Sequence, residues 1–197
     1  MYYIYGDILD PNIIDAKTKS IVIPVNRCYD TAVDNDIISE NSLHGQCFKK
    51  LYESQKYTPD TLYEAITKSL KEKHVCNITL ENKRGHLNLY PEGSIAEVHF
   101  DEKTVLFLLA LSAFRGDSTQ TTKEEYFLSL SRLFERISER SQGMPVLIPL
   151  IGAGLSKTKL GDKILFQFIQ DFILAHKDVI HCDIYIVLRS NLKYLIP

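Results

Sequence analysis

The apolar run Val146-Leu147-Ile148-Pro149-Leu150-Ile151 passes directly into Gly152-Ala153-Gly154 and then into a segment with helical periodicity. A strand of this kind, apolar on both faces, must be covered on both, and a helix reached through a glycine turn is the usual cover. That commits the chain to an α/β arrangement. The turn also has chemical potential. Glycines allow a tight turn, close approach of a ligand and successive outward-pointing N–H groups, and a following helix adds roughly half a positive charge at its N-terminus. On the turn alone two readings stay open: a cradle for an anionic, diphosphate-bearing small molecule, or an ordinary connection between strand and helix.

The same alternation runs through the chain. Tyr2 to Tyr5 reads as a short first strand ended by Gly6-Asp7, and Ser20 to Val25 as a buried second strand. Pro24 predicts a missing ladder bond near the end of that strand. Residues 26–41 are polar and irregular, and a helix follows from Ser42 with Leu43, Cys47, Phe48 and Leu51 on one face. Thr58-Pro59-Asp60 opens another helix, with Thr58 as N-cap and a stripe of Leu62, Ile66 and Leu70. Residues 76–100 carry strand-like pieces around Gly85 and Gly93, with Lys83-Arg84 expected at a solvated hairpin tip. Val105 to Leu111 is a buried strand, and Thr122 with Glu125 is a capping-box pattern for a long helix buried through Tyr126, Leu130, Leu133, Phe134 and Ile137. The helix after the glycine turn is expected to bury Leu160, Ile164, Leu165, Phe168, Phe172 and Ile173, and Asp183 to Leu188 is the last strand. These elements predict a three-layer α/β/α sandwich with a mixed central sheet, formed by residues 1–197 as one domain. Ligands of such sheets lie beyond the carboxyl ends of the strands.

Composition narrows the function. A net charge of −2 with no Lys/Arg block argues against nucleic acid as the main partner. Cys28, Cys47, Cys76 and Cys182 show neither CxxC pairing nor metal-ligand spacing, and His74, His86, His99, His176 and His181 show none either, so no metal is expected. Four dispersed cysteines without a signal peptide suit a reducing cytoplasm. The longest apolar run, Val105 to Leu111, is far short of the ~20 residues that span a bilayer. Cys182 reads as core. Cys28 lies in a loop beside the expected pocket, where a nucleophile would need a neighbouring base that the local sequence does not supply.

Three segments, in order, resemble the macro domain family, whose members bind ADP-ribose: Gly6-Asp7-Ile8, Val22-Ile23-Pro24-Val25-Asn26, and Pro149-Leu150-Ile151-Gly152-Ala153-Gly154-Leu155. Pro24 to Thr31, Ser42-Leu43-His44-Gly45 and Pro149 to Ser156 further resemble one bacterial branch, the cytosolic macro domain of membrane effectors in Thoeris antiphage systems. That resemblance implies a non-catalytic sensor for an NAD-derived ADP-ribose conjugate, such as an amino-acid-linked ADP-ribose, made by a partner TIR enzyme. It implies no cofactor beyond that ligand, possible self-association on binding, and membrane attachment only through a segment outside these residues. Two departures stand out. Many macro domains read Val-Asn-Ala-Ala-Asn, with the second Asn on the distal ribose; here Tyr29 stands in its place, after Arg27 and Cys28. The glycines of the usual first phosphate loop are replaced by Ser42 to Gly45. Both changes fall at the distal end, favouring recognition of a modified distal group over cleavage. An ADP-ribosyl hydrolase and a ligand-free assembly scaffold remain the rivals.

The resemblance assigns roles residue by residue. Asp7 accepts from an adenine amino group and the Ile8 backbone fixes the ring, unless the pair is only a Gly-Asp turn. Asn26 contacts ribose or ties down its own loop, and Arg27 beside it is counted with the ligand-binding residues. Asp30, with Asp34 and Asp36 as alternatives, holds a distal hydroxyl or basic group, or belongs to a solvated acidic loop. Ser42, Leu43, His44 and Gly45 form one wall of the diphosphate cleft, where His44 bonds a phosphate or acts in acid–base chemistry, unless it is simply an exposed first-turn histidine. Gly152, Ala153, Gly154 and Leu155 bind phosphate oxygens through backbone N–H groups, with Ser156 and Lys157 as possible additions. The tyrosines near the N-terminus and Tyr194 either stack on adenine or cover a sheet edge.

Overall fold

Alternate residues of the central strands point into two separate cores. Ile21, Ile23 and Val25 face one, while Val22 between them faces the other. Leu106, Leu108 and Ala110 alternate with Phe107, Leu109 and Leu111 in the same way, and Leu147 with Val146 and Ile148. This period of two, with both sides apolar, requires a helical layer on each face. The computed structural model, which describes residues 1–81, 83–115, 118–140, 143–154 and 158–196, has that arrangement.

In chain order the elements are β1 (Tyr2–Tyr5), β2 (Lys19–Asn26), α1 (Leu43–Glu53), α2 (Pro59–Glu72), β3 (Ile78–Thr79), β4 (Asn88–Leu89), β5 (Ile95–His99), β6 (Thr104–Arg115), β7 (Ser118–Gln120), α3 (Lys123–Arg140), β8 (Val146–Pro149), α4 (Asp162–Ala175), β9 (Ile184–Leu188) and a short 3-10 helix (Ser190–Leu195). The main sheet runs β1-β9-β8-β2-β6-β5, with β7 paired to the far end of β6. From β1 to β6 the neighbours are parallel, while β5 and β7 lie antiparallel to β6. The mixed sheet and three layers are as the sequence predicts. Helices α1 and α2 cover one face, and α3, α4 and the 3-10 helix cover the other.

Local chemistry sets the helix starts. Ser42 Oγ accepts from Gly45 N at 2.9 Å. Thr58 and Thr61 cap each other reciprocally with Pro59 in the first turn. Thr122 N donates to Glu125 Oε2 at 2.8 Å while Glu125 N donates back to Thr122 Oγ1 at 3.2 Å, the expected capping box. The last helix departs from expectation. It begins only at Asp162, after Gly161, so its buried stripe is Leu165, Phe166, Ile169 and Ile173, and Ile164 is turned to solvent. Its N-terminus therefore does not abut the glycine turn, and the dipole argument does not apply there in its simple form.

The sheet opens where the two helical layers part. Strands β2 and β8 pair only through Ser20↔Val146 and Ile21↔Leu147, and then diverge. The chain leaving β2 turns to α1 on one face, and the chain leaving β8 turns to α4 on the other. Such a switch point leaves a crevice at the carboxyl ends of the strands. Pro24 lies in the diverging part of β2, beside a register shift at Val25/Asn26, where a missing N–H is tolerated.

Candidate functional site

A cleft of about 820 Å³ occupies that opening. Its walls come from the ends of several strands: Gly6-Asp7-Ile8 after β1, Pro24 to Asn26, Pro149 and Leu150 with Gly152 to Gly154, and Val187 with Arg189 to Leu192 after β9. The start of α1, Ser42 to His44, closes one side, and Ser112 and Thr119 of the β6–β7 hairpin close another.

Two stretches of main chain with unpartnered N–H groups line this space. At α1, the Ser42 hydroxyl is consumed as a cap, accepting from Gly45 N and donating to the Ser39 carbonyl at 2.7 Å. Gln46 N is bonded to Ser42 O. The N–H groups of Leu43 and His44 are left without a partner among the described residues, as the first turn of a helix requires. Across the cleft, Ala153 N closes a turn on Leu150 O, while the N–H groups of Gly152 and Gly154 have no partner among the described residues. Gly152 sits at φ 88°, and a Cβ there would lie 2.9 Å from Thr158 Cγ2 and 3.0 Å from a Tyr126 ring carbon. Gly154 has nothing within 4 Å of where a Cβ would stand. The first glycine is needed by the fold, and the second keeps a surface open. Leu155, Ser156 and Lys157 lie outside the described residues.

The side chains that line the cleft are mostly neutral. Burial pushes the His44 imidazole down to about 3, with the Asp30 main chain opposing the shift. Its ring meets Phe48 edge-on at 4.4 Å, and Nε2 has no hydrogen-bond partner. Among the described lining residues, formal charge comes only from Asp7, Asp162 and Arg189. An anion in this cleft would therefore be met by peptide dipoles, with one guanidinium at the rim. Asp7 Oδ1 accepts from Leu9 N at 2.9 Å and Oδ2 lies 3.7 Å from Lys50 Nζ, leaving the carboxylate half-exposed as an acceptor. Asn26 Oδ1 accepts from Cys28 N at 3.1 Å and Asp30 N at 3.3 Å. That fixes the amide so that Nδ2 remains the free donor among the described contacts. Asn26 thus ties down its loop and lines the cleft, with Nδ2 unused by the described residues.

Other expected site residues are engaged elsewhere. Arg27 donates through Nε to Tyr90 O at 2.9 Å and pairs with Glu92 and Glu125 at 3.1 Å each, a clamp outside the cleft. Asp30 is completely buried and paired with Lys83 at 2.8 Å, so Lys83 is not the solvated turn residue expected, although Arg84 is. Gly45 does not line the cleft; a Cβ there would strike the Ser39 carbonyl, so its role is to let the preceding loop pack on α1. Asp34 Oδ1 accepts from Asp36 N and Ile37 N in an exposed turn, and Asp36 pairs with Arg84. Cys28 is buried, its thiol pushed up to about 11 by desolvation, and it does not reach the cleft. Tyr29 turns inward, its hydroxyl donating to Ser94 O at 2.8 Å and its ring edge-on to Tyr90. Tyr2, Tyr3 and Tyr5 lie on β1 at the edge of the sheet, and Tyr194 in the 3-10 helix donates to Asp162 Oδ2 at 2.8 Å; none of the four is in the cleft wall.

Sequence reasoning missed Arg189, Ser190 and Asn191. The available signal was that every parallel strand ends at the same rim, so the residues after β9 belong with those after β1, to which it is bonded through Tyr5↔Leu188. No group of three or more metal-ligating side chains occurs among the described residues.

Comparison with known proteins fits this geometry. A Thoeris protein ThsA from Bacillus amyloliquefaciens (strain Y2) is 29% identical over 140 residues, which are 69% of this chain and 44% of that protein. The aligned part thus spans less than half the length of that relative. Two solved structures of Bacteroides thetaiotaomicron proteins, one a structural-genomics crystal structure and one described as of a protein of unknown function, share the fold. They superpose with TM-scores of 0.56 and 0.52 at 12% and 14% identity, covering 95% of this chain in each case and 99% and 96% of theirs. The family described as Thoeris protein ThsA, Macro domain, matches residues 3–189, from the first strand to the arginine at the rim of the cleft. With nearly every element of the sheet and both walls of the crevice inside that match, the chain belongs to the ThsA macro-domain family.

Proposed function

We propose that this domain is a non-catalytic sensor of an NAD-derived ADP-ribose conjugate, such as an amino-acid-linked ADP-ribose, in Thoeris antiviral defence. The observation that carries the reading is that Leu43/His44 and Gly152/Gly154 both line the cleft, each with N–H groups that nothing else in the described protein uses. A pyrophosphate supplies acceptors on both sides of such a gap. Asp7 at one end accepts from an adenine amino group, and Asn26 offers its Nδ2 to a ribose hydroxyl.

Two features favour capture over hydrolysis. The acid nearest in sequence to the distal loop, Asp30, is locked in an ion pair, and Tyr29 points into the core. His44 is neutral across the physiological range and therefore a poor general acid. The signal would come from a TIR enzyme in the cytoplasm. Any membrane attachment would come from a segment outside this chain, since no helix among the described residues is long and apolar enough to cross a membrane. Binding would shift self-association only if the ligand favours one arrangement of copies over the other.

A thermal-shift comparison of ADP-ribose with amino-acid-conjugated ADP-ribose tests the proposal. Ligand at 100 times its dissociation constant adds ~2.7 kcal/mol, a rise of roughly 5–11 °C for a domain of this size. A response to the conjugate well above that to plain ADP-ribose is expected, with the conjugate recovered intact by chromatography. Release of free ADP-ribose would establish the hydrolase instead.

A further inference from the structure

Asp30 and Lys83 stand far apart in sequence, yet the carboxylate is 1% exposed and the ammonium 11%. Lys83 Nζ donates to Asp30 Oδ1 at 3.0 Å and Oδ2 at 2.8 Å, to Arg84 O at 2.6 Å and to His86 O at 3.1 Å. The Phe114 ring lies 4.8 Å from it. The carboxylate also accepts from His86 N at 2.6 Å. Gly85, at φ 79°, passes so close to Asp30 Oδ1 that a Cβ would strike it. Residues 83–86 therefore wrap the carboxylate from behind. His86 continues outward, stacked on Tyr63 at 3.5 Å and bonded to Thr31 Oγ1 at 2.9 Å.

A pair this deeply buried is a weak stabiliser, because desolvation offsets the Coulomb attraction. What it does provide is a fixed position for the loop after β2. The two N–H groups that orient the Asn26 amide, from Cys28 and Asp30, belong to that loop. We propose that Lys83 is a positioning residue for the cleft: by gripping the Asp30 carboxylate it holds the loop 28–30, and through that loop it aims Asn26 Nδ2 at the ligand. The β3–β4 hairpin is in this account a brace for the binding site, reaching it without touching it. The inference rests on the nucleotide-binding reading above.

The test is a thermodynamic cycle. Asp30→Asn with Lys83→Met removes both charges and leaves none buried alone; Gly85→Ala disturbs the same grip without altering a charge. ADP-ribose affinity is measured by calorimetry in the wild type, Asn26→Ala, the Asp30→Asn/Lys83→Met pair, and their combination. Each of the first two variants is expected to weaken binding about tenfold, and the combination no more than twofold further, because they remove the same contact. Additive losses, or an unchanged affinity in a folded pair variant, overturn the proposal. A second readout needs no ligand: the side-chain amide resonances of Asn26 should shift or broaden in the pair variant and in Gly85→Ala. If they stay put, Lys83 does not act through Asn26, whatever the domain binds. If the wild type binds neither ADP-ribose nor its conjugates while those resonances do move, the sensor reading fails and the brace stands.

Discussion

The two glycines of the second cleft loop, two positions apart, should respond to substitution in opposite ways. At Gly152, φ 88° puts an alanine in the left-handed region, at about 1–2 kcal/mol. The added methyl also meets Thr158 Cγ2 at 2.9 Å and the Tyr126 ring at 3.0 Å, and Tyr126 is held by its own hydrogen bond to Ile151 O at 3.1 Å, so neither yields easily. Overpacking of this kind adds about 1–3 kcal/mol. Gly152→Ala should therefore lose about 2–5 kcal/mol, a fall in Tm of roughly 4–20 °C. Gly154 has open space around it, and Gly154→Glu should leave Tm within about 2 °C of the wild type, as surface substitutions do. Its cost appears on binding. A carboxylate roughly 6 Å from a ligand phosphate, at an effective dielectric between protein and water, opposes it by about 1–3 kcal/mol. That is a loss of roughly 5- to 150-fold in affinity. Differential scanning fluorimetry with and without ADP-ribose, followed by calorimetry, separates the two effects. If Gly154→Glu binds as the wild type does, the second loop does not hold an anion and the assignment of the cleft is wrong.

His44 supplies a pH prediction. Its folded-state value, near 3, lies below the ~6.5 of an unfolded histidine, so the unfolded chain binds the extra proton first. The stability this neutral ring permits is fully present above about pH 6.5 and is lost as pH falls toward the folded value, by about 2 kcal/mol at pH 5. His86, also lowered by burial, adds a loss of the same sign. Urea titrations at pH 7.5 and 5 should show that difference shrink by about 2 kcal/mol in His44→Gln without vanishing, and an unchanged difference would place the ring in water. Arg189, exposed and without a carboxylate partner among the described residues, predicts the opposite separation. Arg189→Ala should leave stability unchanged and weaken ADP-ribose roughly 2- to 5-fold, less so in 0.5 M salt, as expected of an exposed charge contact. A salt-independent loss would point to stacking on the base instead.

What could be read from the sequence was periodic, and what could not was long-range. Val105 to Leu111 and the capping pair Thr122/Glu125 carry their structure within a few residues, and the observed strand and helix agree with them. The start of α4 is not marked in sequence, because its N-cap is Gly161, which makes no side-chain capping bond. An acidic loop after β2 reads as solvated or ligand-facing, and so Asp30 falls with the cleft residues in sequence although it is buried. Its partner Lys83 is invisible to local pattern, since only the folded β3–β4 hairpin brings the two together. Arg27 misled for the same reason: its carboxylates, Glu92 and Glu125, come from distant parts of the chain. In the cleft, by contrast, backbone groups dominate. Glycine placement and a helix start are visible in sequence, so Gly152, Gly154, Leu43 and His44 are expected along the cleft and do line it, whereas Arg189 carries no such local mark.

Amide proton shifts test the central claim most directly. On titration of ADP-ribose into labelled protein, the N–H resonances of Leu43, His44, Gly152 and Gly154 should move downfield together as the diphosphate accepts from them. Adenosine, which keeps the base and ribose but lacks the phosphates, should leave those four in place while moving the Asp7–Ile8 end. Saturable binding of ADP-ribose with all four resonances unmoved would contradict the account.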